Sequence, residues 1–158
     1  MSKLIFVGPS GAGKTYLSEK LQKSGFKLEV SYTTRPIREN EKDGVDYKFI
    51  SKFEFEQAIA YGQMYEWTQY GENYYGTSNV DFYNSNIFVW ETEGVSKIKP
   101  EDRANCTVIY VNTNKAIRIK RMKDRGWSNI TISKRLDIDE QLFKDFKDYD
   151  VEIQSNIL

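Results

Sequence analysis

Histidine is missing altogether, cysteine occurs once, at Cys106, and proline only three times in 158 residues. Without histidine, imidazole acid–base or nucleophilic chemistry is excluded. With one thiol and no imidazole, a zinc site of the usual kind is excluded too, and no intramolecular disulfide can form. A surplus of charge is also lacking: Lys+Arg and Asp+Glu both total 23, so the electrostatic footprint of a general nucleic-acid binder is absent. Long hydrophobic runs are absent as well, and the first apolar run, Leu4 to Val7, is too short for a signal peptide or a membrane span. These absences predict a cytoplasmic protein with no membrane or nucleic-acid partner, a monomer or weak dimer. Aromatics, by contrast, reach 15% with 11 tyrosines, so a core can be built from few but large side chains. The length suits one domain that buries about two thirds of its extended surface.

Leu4 to Val7, stopped by Gly8-Pro9, reads as a buried strand. Tyr16, Leu17 and Leu21 recur at helical spacing within 15–23, and Gly25 is a plausible stop. Residues 26–30 read as a second strand. Residues 31–78 differ in character: polar, tyrosine-rich, punctuated by glycines, with a short helix over 53–61. Strands over 87–90 and 107–111, a basic helix over 114–124, a helix over 130–146 and a short strand over 150–154 complete the chain. Residues 79–87 are too few for a helix of ordinary length. Strands alternating with helices predict an α/β fold, a mainly parallel sheet flanked by helices. The predicted division is a single domain over 1–158, with a core of 1–30 and 79–158, an inserted lobe over 31–78 and a lid at about 121–135. Cys106, Phe143 and Phe146 are expected to be packing residues.

Directly after the first strand stands Gly8-Pro9-Ser10-Gly11-Ala12-Gly13-Lys14-Thr15, the GxxxxGK[ST] pattern in its strand–loop–helix setting. Glycines let the backbone curl so that N–H groups face phosphate oxygens, and the helix N-terminus adds partial positive charge. Lys14 would place a cation on the β- and γ-phosphates, and the Thr15 hydroxyl would bind Mg²⁺. The fold implied is that of the phosphate-loop NTPases, with ATP held by residues 8–15.

A second substrate is suggested by Arg35 and Arg38 with Tyr47 beyond them, a set suited to a phosphate monoester. Glu66-Trp67 and Tyr75-Gly76-Thr77-Ser78 then offer one carboxylate beside a buried-looking Trp in a tyrosine-lined lobe. Such a carboxylate suits a base with adjacent N–H donors, as guanine has and adenine lacks. Surface charges and turn tyrosines on an exposed lobe would account for the same residues.

The chain resembles the guanylate kinases over nearly its whole length. The resemblance rests on the phosphate loop, Ser31…Thr33-Thr34-Arg35-Pro36…Arg38, Asp43-Gly44-Val45-Asp46-Tyr47-Lys48-Phe49, Phe53-Glu54-Phe55, Glu66-Trp67 and Tyr75-Gly76-Thr77-Ser78. It implies that Arg35, Arg38, Tyr47 and Tyr75 hold the monophosphate of GMP and that Ser31, Glu66 and Thr77 read guanine. Where the family has Asp-x-Asp-x-x-Gly, this chain has Val89-Trp90-Glu91-Thr92-Glu93-Gly94, so Glu91 takes the guanine-binding acidic place and Val89 replaces the other. Arg121, Arg125 and Arg135 resemble the family's lid arginines, which with Lys14 would carry catalysis; Arg118, Lys120 and Lys123 read as a solvated helix face. The family's closing C-terminal helix has no counterpart before Leu158, which implies a trimmed version of the fold. The implied activity is phosphoryl transfer from Mg²⁺-bound ATP to GMP or dGMP. A kinase of another phosphorylated acceptor, or a silent guanylate-kinase-like binding module, are the alternatives.

Overall fold

The short apolar run that opens the chain forms β1 (Lys3–Val7), buried on both faces as a central parallel strand must be. The computed structural model describes residues 2–155, so Met1 and residues 156–158, including the outer bounds of the expected domain, lie outside the described residues. β1 pairs in parallel with β6 (Ile87–Val89) on one side and with β7 (Cys106–Val111) on the other. β8 (Val151–Ile153) adds to β7, giving a four-stranded parallel sheet in the order β6-β1-β7-β8. Alternating side chains feed two layers. Ile5, Val7, Phe88, Cys106 and Val108 face one cluster with Tyr65, Phe82 and Trp90. Phe6, Ile87 and Val111 face the other, which α1 (Lys14–Lys23) covers with Leu17 and Leu21. Cys106 is a buried packing residue, and Phe143 and Phe146 pack against Tyr110 at ring distances of 5.4 and 5.8 Å.

A second sheet, in the order β3-β2-β5-β4, is built from β2 (Tyr32–Thr33), β3 (Lys48–Phe49), β4 (Met64–Tyr70) and β5 (Asn73–Ser78). β4 and β5 form an antiparallel hairpin closed by a turn at Gly71, whose φ of +59° suits glycine. α2 (Lys52–Ala60) starts with a capping box in which Ser51 and Glu54 satisfy each other's backbone N–H groups. The two sheets meet at α3 (Asn79–Asn84), α4 (Thr92–Ser96) and α5 (Pro100–Arg103). Phe82 from α3 stacks on Tyr65 from β4, with ring centroids 3.6 Å apart. The remaining helices, α6 (Lys115–Asp124) and α7 (Asn129–Phe143), complete the flanking layer.

One expectation needs correction. Residues 26–30 make no strand: only Leu28 bridges Ile87, because Lys27 and Glu29 bond β6 while the chain leaves at Ser31 to start the other sheet. Residues 79–84 form a helix of only six residues, short as expected, which the Ser78 hydroxyl caps by accepting from the Asp81 N–H at 3.0 Å.

Phe82 is fully buried between Tyr65, Phe88 and Trp90. Phe82→Ala should therefore lower unfolding free energy by about 3–5 kcal/mol in urea titrations. A loss below about 1 kcal/mol would mean that this aromatic cluster does not join the two sheets.

Candidate active site

The loop between β1 and α1 must turn sharply while keeping room inside. Gly8 approaches β7 so closely that a Cβ would lie 2.5 Å from the Val111 carbonyl oxygen. Gly13, at φ +104°, sits in a left-handed conformation at the N-terminus of α1. Residues far along the chain brace this curl. Thr113 Oγ1 donates to the Ala12 carbonyl at 2.7 Å, and Asp139 Oδ2 accepts from the Ser10 N–H at 3.0 Å. Arg121 Nη1 donates to the Gly11 carbonyl at 2.9 Å, and its Nη2 bonds the Ser155 carbonyl. Lys14 Nζ turns back onto the Gly8 and Pro9 carbonyls. Burial holds its ammonium below the usual lysine value, against the opposing pull of Glu91 and Asp139. The Thr15 hydroxyl residue lies exposed beside it.

The three lid arginines separate into different roles. Arg121 is buried and engaged by two carbonyls under the loop, so it props the loop and is not poised to close over it; this corrects the lid reading for that residue. Arg125 is exposed at the C-terminal end of α6, beside a cavity that includes Gly13 and Tyr16. Arg135 reaches from α7 to Ser10 Oγ at 2.6 Å, and its Nη2 lies 3.8 Å from Glu91. Asp139, one helical turn on, holds the same guanidinium at 3.3 Å.

Between the two sheets opens a cavity of about 210 Å³. Ser31, Tyr47, Glu66, Tyr75 and Glu91, all expected from sequence, line it together with Val89 and Trp90. Gly76 forms part of the wall, where a Cβ would meet the Glu66 carbonyl oxygen at 2.6 Å. Glu66 is buried, and burial raises its carboxyl above the ordinary range. Thr77 is buried behind the wall. Trp67 is not buried as the sequence suggests: neighbours on a strand face opposite sides, and Trp67 is 37% exposed. The buried Trp is Trp90. Glu93 lines the cavity but pairs with Lys97 at 3.0 Å, which holds it below the usual carboxylate value.

At the other end of this lobe Arg35 is pre-set. Its Nη1 and Nη2 bond Glu41 Oε1 and Oε2 at 2.7 and 2.8 Å, and its guanidinium carbon lies 5.4 Å from the Tyr47 ring centre. The pair holds the Glu41 carboxyl down at about 2. Glu41 also accepts from the Arg38 N–H at 2.9 Å, while the Arg38 side chain lies exposed. The Tyr47 and Tyr75 rings pack edge to face at 5.9 Å.

A family model described as guanylate kinase matches residues 1–158. The chain belongs to the guanylate kinase family. A guanylate kinase of Helicobacter pylori is 40% identical over 144 residues, covering 84% of this chain and 69% of that one. One of Latilactobacillus sakei is 48% identical over 77 residues, 47% of this chain and 38% of its own. The crystal structure of guanylate kinase from Anaplasma phagocytophilum aligns with a TM-score of 0.74 over 99% of this chain and 77% of that one, at 21% identity, a likeness of fold.

Within this guanylate kinase frame, three contributors were not singled out from sequence. Glu41 clamps Arg35, Asp139 ties α7 to the phosphate loop, and Glu29 stands buried behind Ser31. Glu41 had a weak local signal, an acidic residue six positions after Arg35; Asp139 had none, being 129 residues from its partner Ser10. No helix among the described residues is long and apolar enough to cross a membrane.

Proposed function

We infer that this guanylate kinase family member transfers the γ-phosphoryl group of ATP to GMP, giving ADP and GDP. One observation carries the reading: Glu91 lines the cavity that holds the buried Glu66, acts on the Lys14 ammonium, and lies 3.8 Å from Arg135, which itself bonds Ser10 of the phosphate loop. Nucleoside base and donor phosphates can thus be held at once.

The roles follow from placement. The ionised Glu66 accepts from guanine N1–H and the 2-amino group, with Ser31 and Glu91 completing the base contacts and Thr77, fully buried behind the wall, supporting Glu66. Arg35, Arg38, Tyr47 and Tyr75 hold the acceptor phosphate. Residues 8–15 cradle the donor triphosphate, and Lys14 exchanges its loop carbonyls for the β- and γ-oxygens. Arg135, already spanning Ser10 and Glu91, lies where charge spreads during transfer, and Arg125 covers the donor from the α6 end. Arg121 keeps the loop curled from beneath. No covalent enzyme intermediate is needed, since aligning the two phosphates does most of the work.

The donor set around the loop fits Mg²⁺. Among the described residues no group of three or more carboxylate, thiol or imidazole side chains could cage a metal. Mg²⁺ needs no such cage, because it keeps waters and takes phosphate oxygens with one or two protein ligands. Thr15 would be the protein ligand, and the ion would neutralise charge on the β- and γ-phosphates.

A coupled ADP-release assay across GMP, dGMP, AMP, CMP, UMP and dTMP tests the reading. GMP and dGMP should both turn over, since no cavity residue named above reads the 2′-hydroxyl. AMP should be at least about tenfold poorer in kcat/KM. Equal rates on AMP or dTMP would overturn the base assignment.

A further inference from the structure

Glu29 is a buried carboxylate for which the mechanism above has no use. It is 7% exposed, and its backbone N–H is fixed to the Ile87 carbonyl at 2.9 Å. Its Oε2 accepts from Ser31 Oγ at 3.1 Å. Its Oε1 has no hydrogen-bond partner, and neither does Thr77 Oγ1, on a fully buried side chain. The Thr77 hydroxyl lies against both Glu29 and Glu66 and pulls both carboxyls down. The charged groups facing Glu29 are Glu66 from β4 and Asp81 from α3. Asp81 in turn pairs with Lys48 from β3 at 2.7 Å. Glu66 lines the pocket and Glu29 lies buried behind Ser31; the cation acting on Glu66 is Lys97, which is itself paired with Glu93 at 3.0 Å.

We propose that Glu29 is a positioning residue of the base pocket: from behind the sheet it orients both the Ser31 and the Thr77 hydroxyls, so that the base meets one carboxylate and a fixed row of acceptors. This rests on the reading that the cavity takes guanine.

Burial, together with the neighbouring Glu66, raises the Glu29 carboxyl to about 8. Like carboxyls sharing a low-dielectric site do not both ionise readily, and the more strongly raised one keeps the proton. A proton on Oε1 supplies the donor that Oε1 and Thr77 Oγ1 both lack. Thr77 then gives its own proton to the Glu66 carboxylate, while Ser31 gives its proton to Glu29 Oε2. No covalent bond changes; three protons take fixed places. Ser31 is left with lone pairs toward the cavity and Glu66 with its charge, an acceptor-only surface that suits adjacent N–H donors. Ionisation of Glu29 removes the donor to Thr77 and sets a second negative charge beside Glu66.

Side-chain ¹³C NMR of the nucleotide-free protein reads the protonation directly, and the Glu29 carboxyl should titrate near 8. Glu29→Gln mimics the neutral acid, donating to Thr77 and accepting from Ser31; its KM for GMP at neutral pH should stay within about twofold of wild type. Glu29→Ala keeps neither bond; its KM should rise about tenfold with kcat within about threefold. Between neutral pH and pH 9 the wild-type KM should climb relative to that of Glu29→Gln, a comparison that cancels titration of the nucleotide itself.

Stability gives a second readout. Because the folded value lies above the unfolded 4.5, the folded state binds more protons in that window, and wild-type stability should fall with pH relative to Glu29→Gln until the folded value is passed. A Glu29 carboxyl titrating at an ordinary value, or a Glu29→Gln variant as impaired as Glu29→Ala, would overturn the proposal. Wild-type protein that fails to bind GMP in calorimetry while Glu29 still titrates high would overturn the guanine reading, and the positioning role with it.

Discussion

Lys14→Met is expected to lower kcat about a thousandfold or more while leaving the Kd for GMP within about threefold. Lys14 is half-buried at the phosphate loop, and among the described residues its ammonium bonds the Gly8 and Pro9 carbonyls. A cation held out of water in this way is poorly satisfied before nucleotide arrives and is worth most once phosphate oxygens replace the carbonyls. Methionine fills similar space without charge, so the loop should keep its shape: Gly8, Gly11 and Ala12 are held by the close approach to Val111, by Arg121 and by Thr113. The base cavity lies at the other end of the cleft and should bind GMP as before. Single-turnover kinetics and calorimetry separate the two effects. Turnover within about tenfold of wild type would sink the kinase assignment.

The second large effect is expected at Glu66. Glu66→Gln should lower kcat/KM for GMP by about tenfold to a hundredfold and leave the value for AMP nearly unchanged. A glutamine turns one acceptor oxygen into an N–H₂ donor, which meets the guanine N–H edge donor to donor. Adenine has an acceptor at N1 and no 2-amino group, so it never paired with the carboxylate. Because burial raises the Glu66 carboxyl, protonation also converts it toward the glutamine-like form, and kcat/KM for GMP should fall as pH drops through that raised value. Equal losses for both nucleotides in steady-state assays would show that Glu66 supports the fold and does not read the base.

What could be read from sequence was what the chain writes locally. The phosphate loop needs its glycines, Lys14 and Thr15 within eight consecutive residues, so spacing alone revealed it. The guanine-pocket residues were found through resemblance, and Ser31, Tyr47, Glu66, Tyr75 and Glu91 do meet at one cavity. Residues 26–30 failed as a strand because an apolar-flanked run cannot announce that its chain must leave one sheet for another. Trp67 looks buried beside Glu66 in the sequence, but strand alternation sends the two neighbours to opposite faces, and the Trp at the pocket is Trp90. Arg121 resembles a lid arginine by its place in the sequence; the packing of α6 against the loop puts its guanidinium on backbone carbonyls. Glu29 carried no pattern, and Glu41 only a weak local one, because their partners are defined by the turn of the chain and not by a period.

Tyr65 sets a lever within the molecule. It stacks on Phe82, its hydroxyl donates to Asp102 at 2.8 Å, and it accepts from the Lys99 N–H at 3.0 Å. Tyr65 thus pins the second sheet to the first at the root of β4, and a swing about that point would take it as the pivot. Glu66 is the next residue along and has almost no radius. The far end of β4, five residues on at Tyr70, lies about 17 Å from the pivot, so a turn of about 10° carries it about 3 Å. Glu66, one residue from the pivot, moves less than about 1 Å in the same turn. Tyr70 also lines the base cavity, so such a turn would shift one wall of the cavity while leaving the Glu66 carboxylate nearly in place.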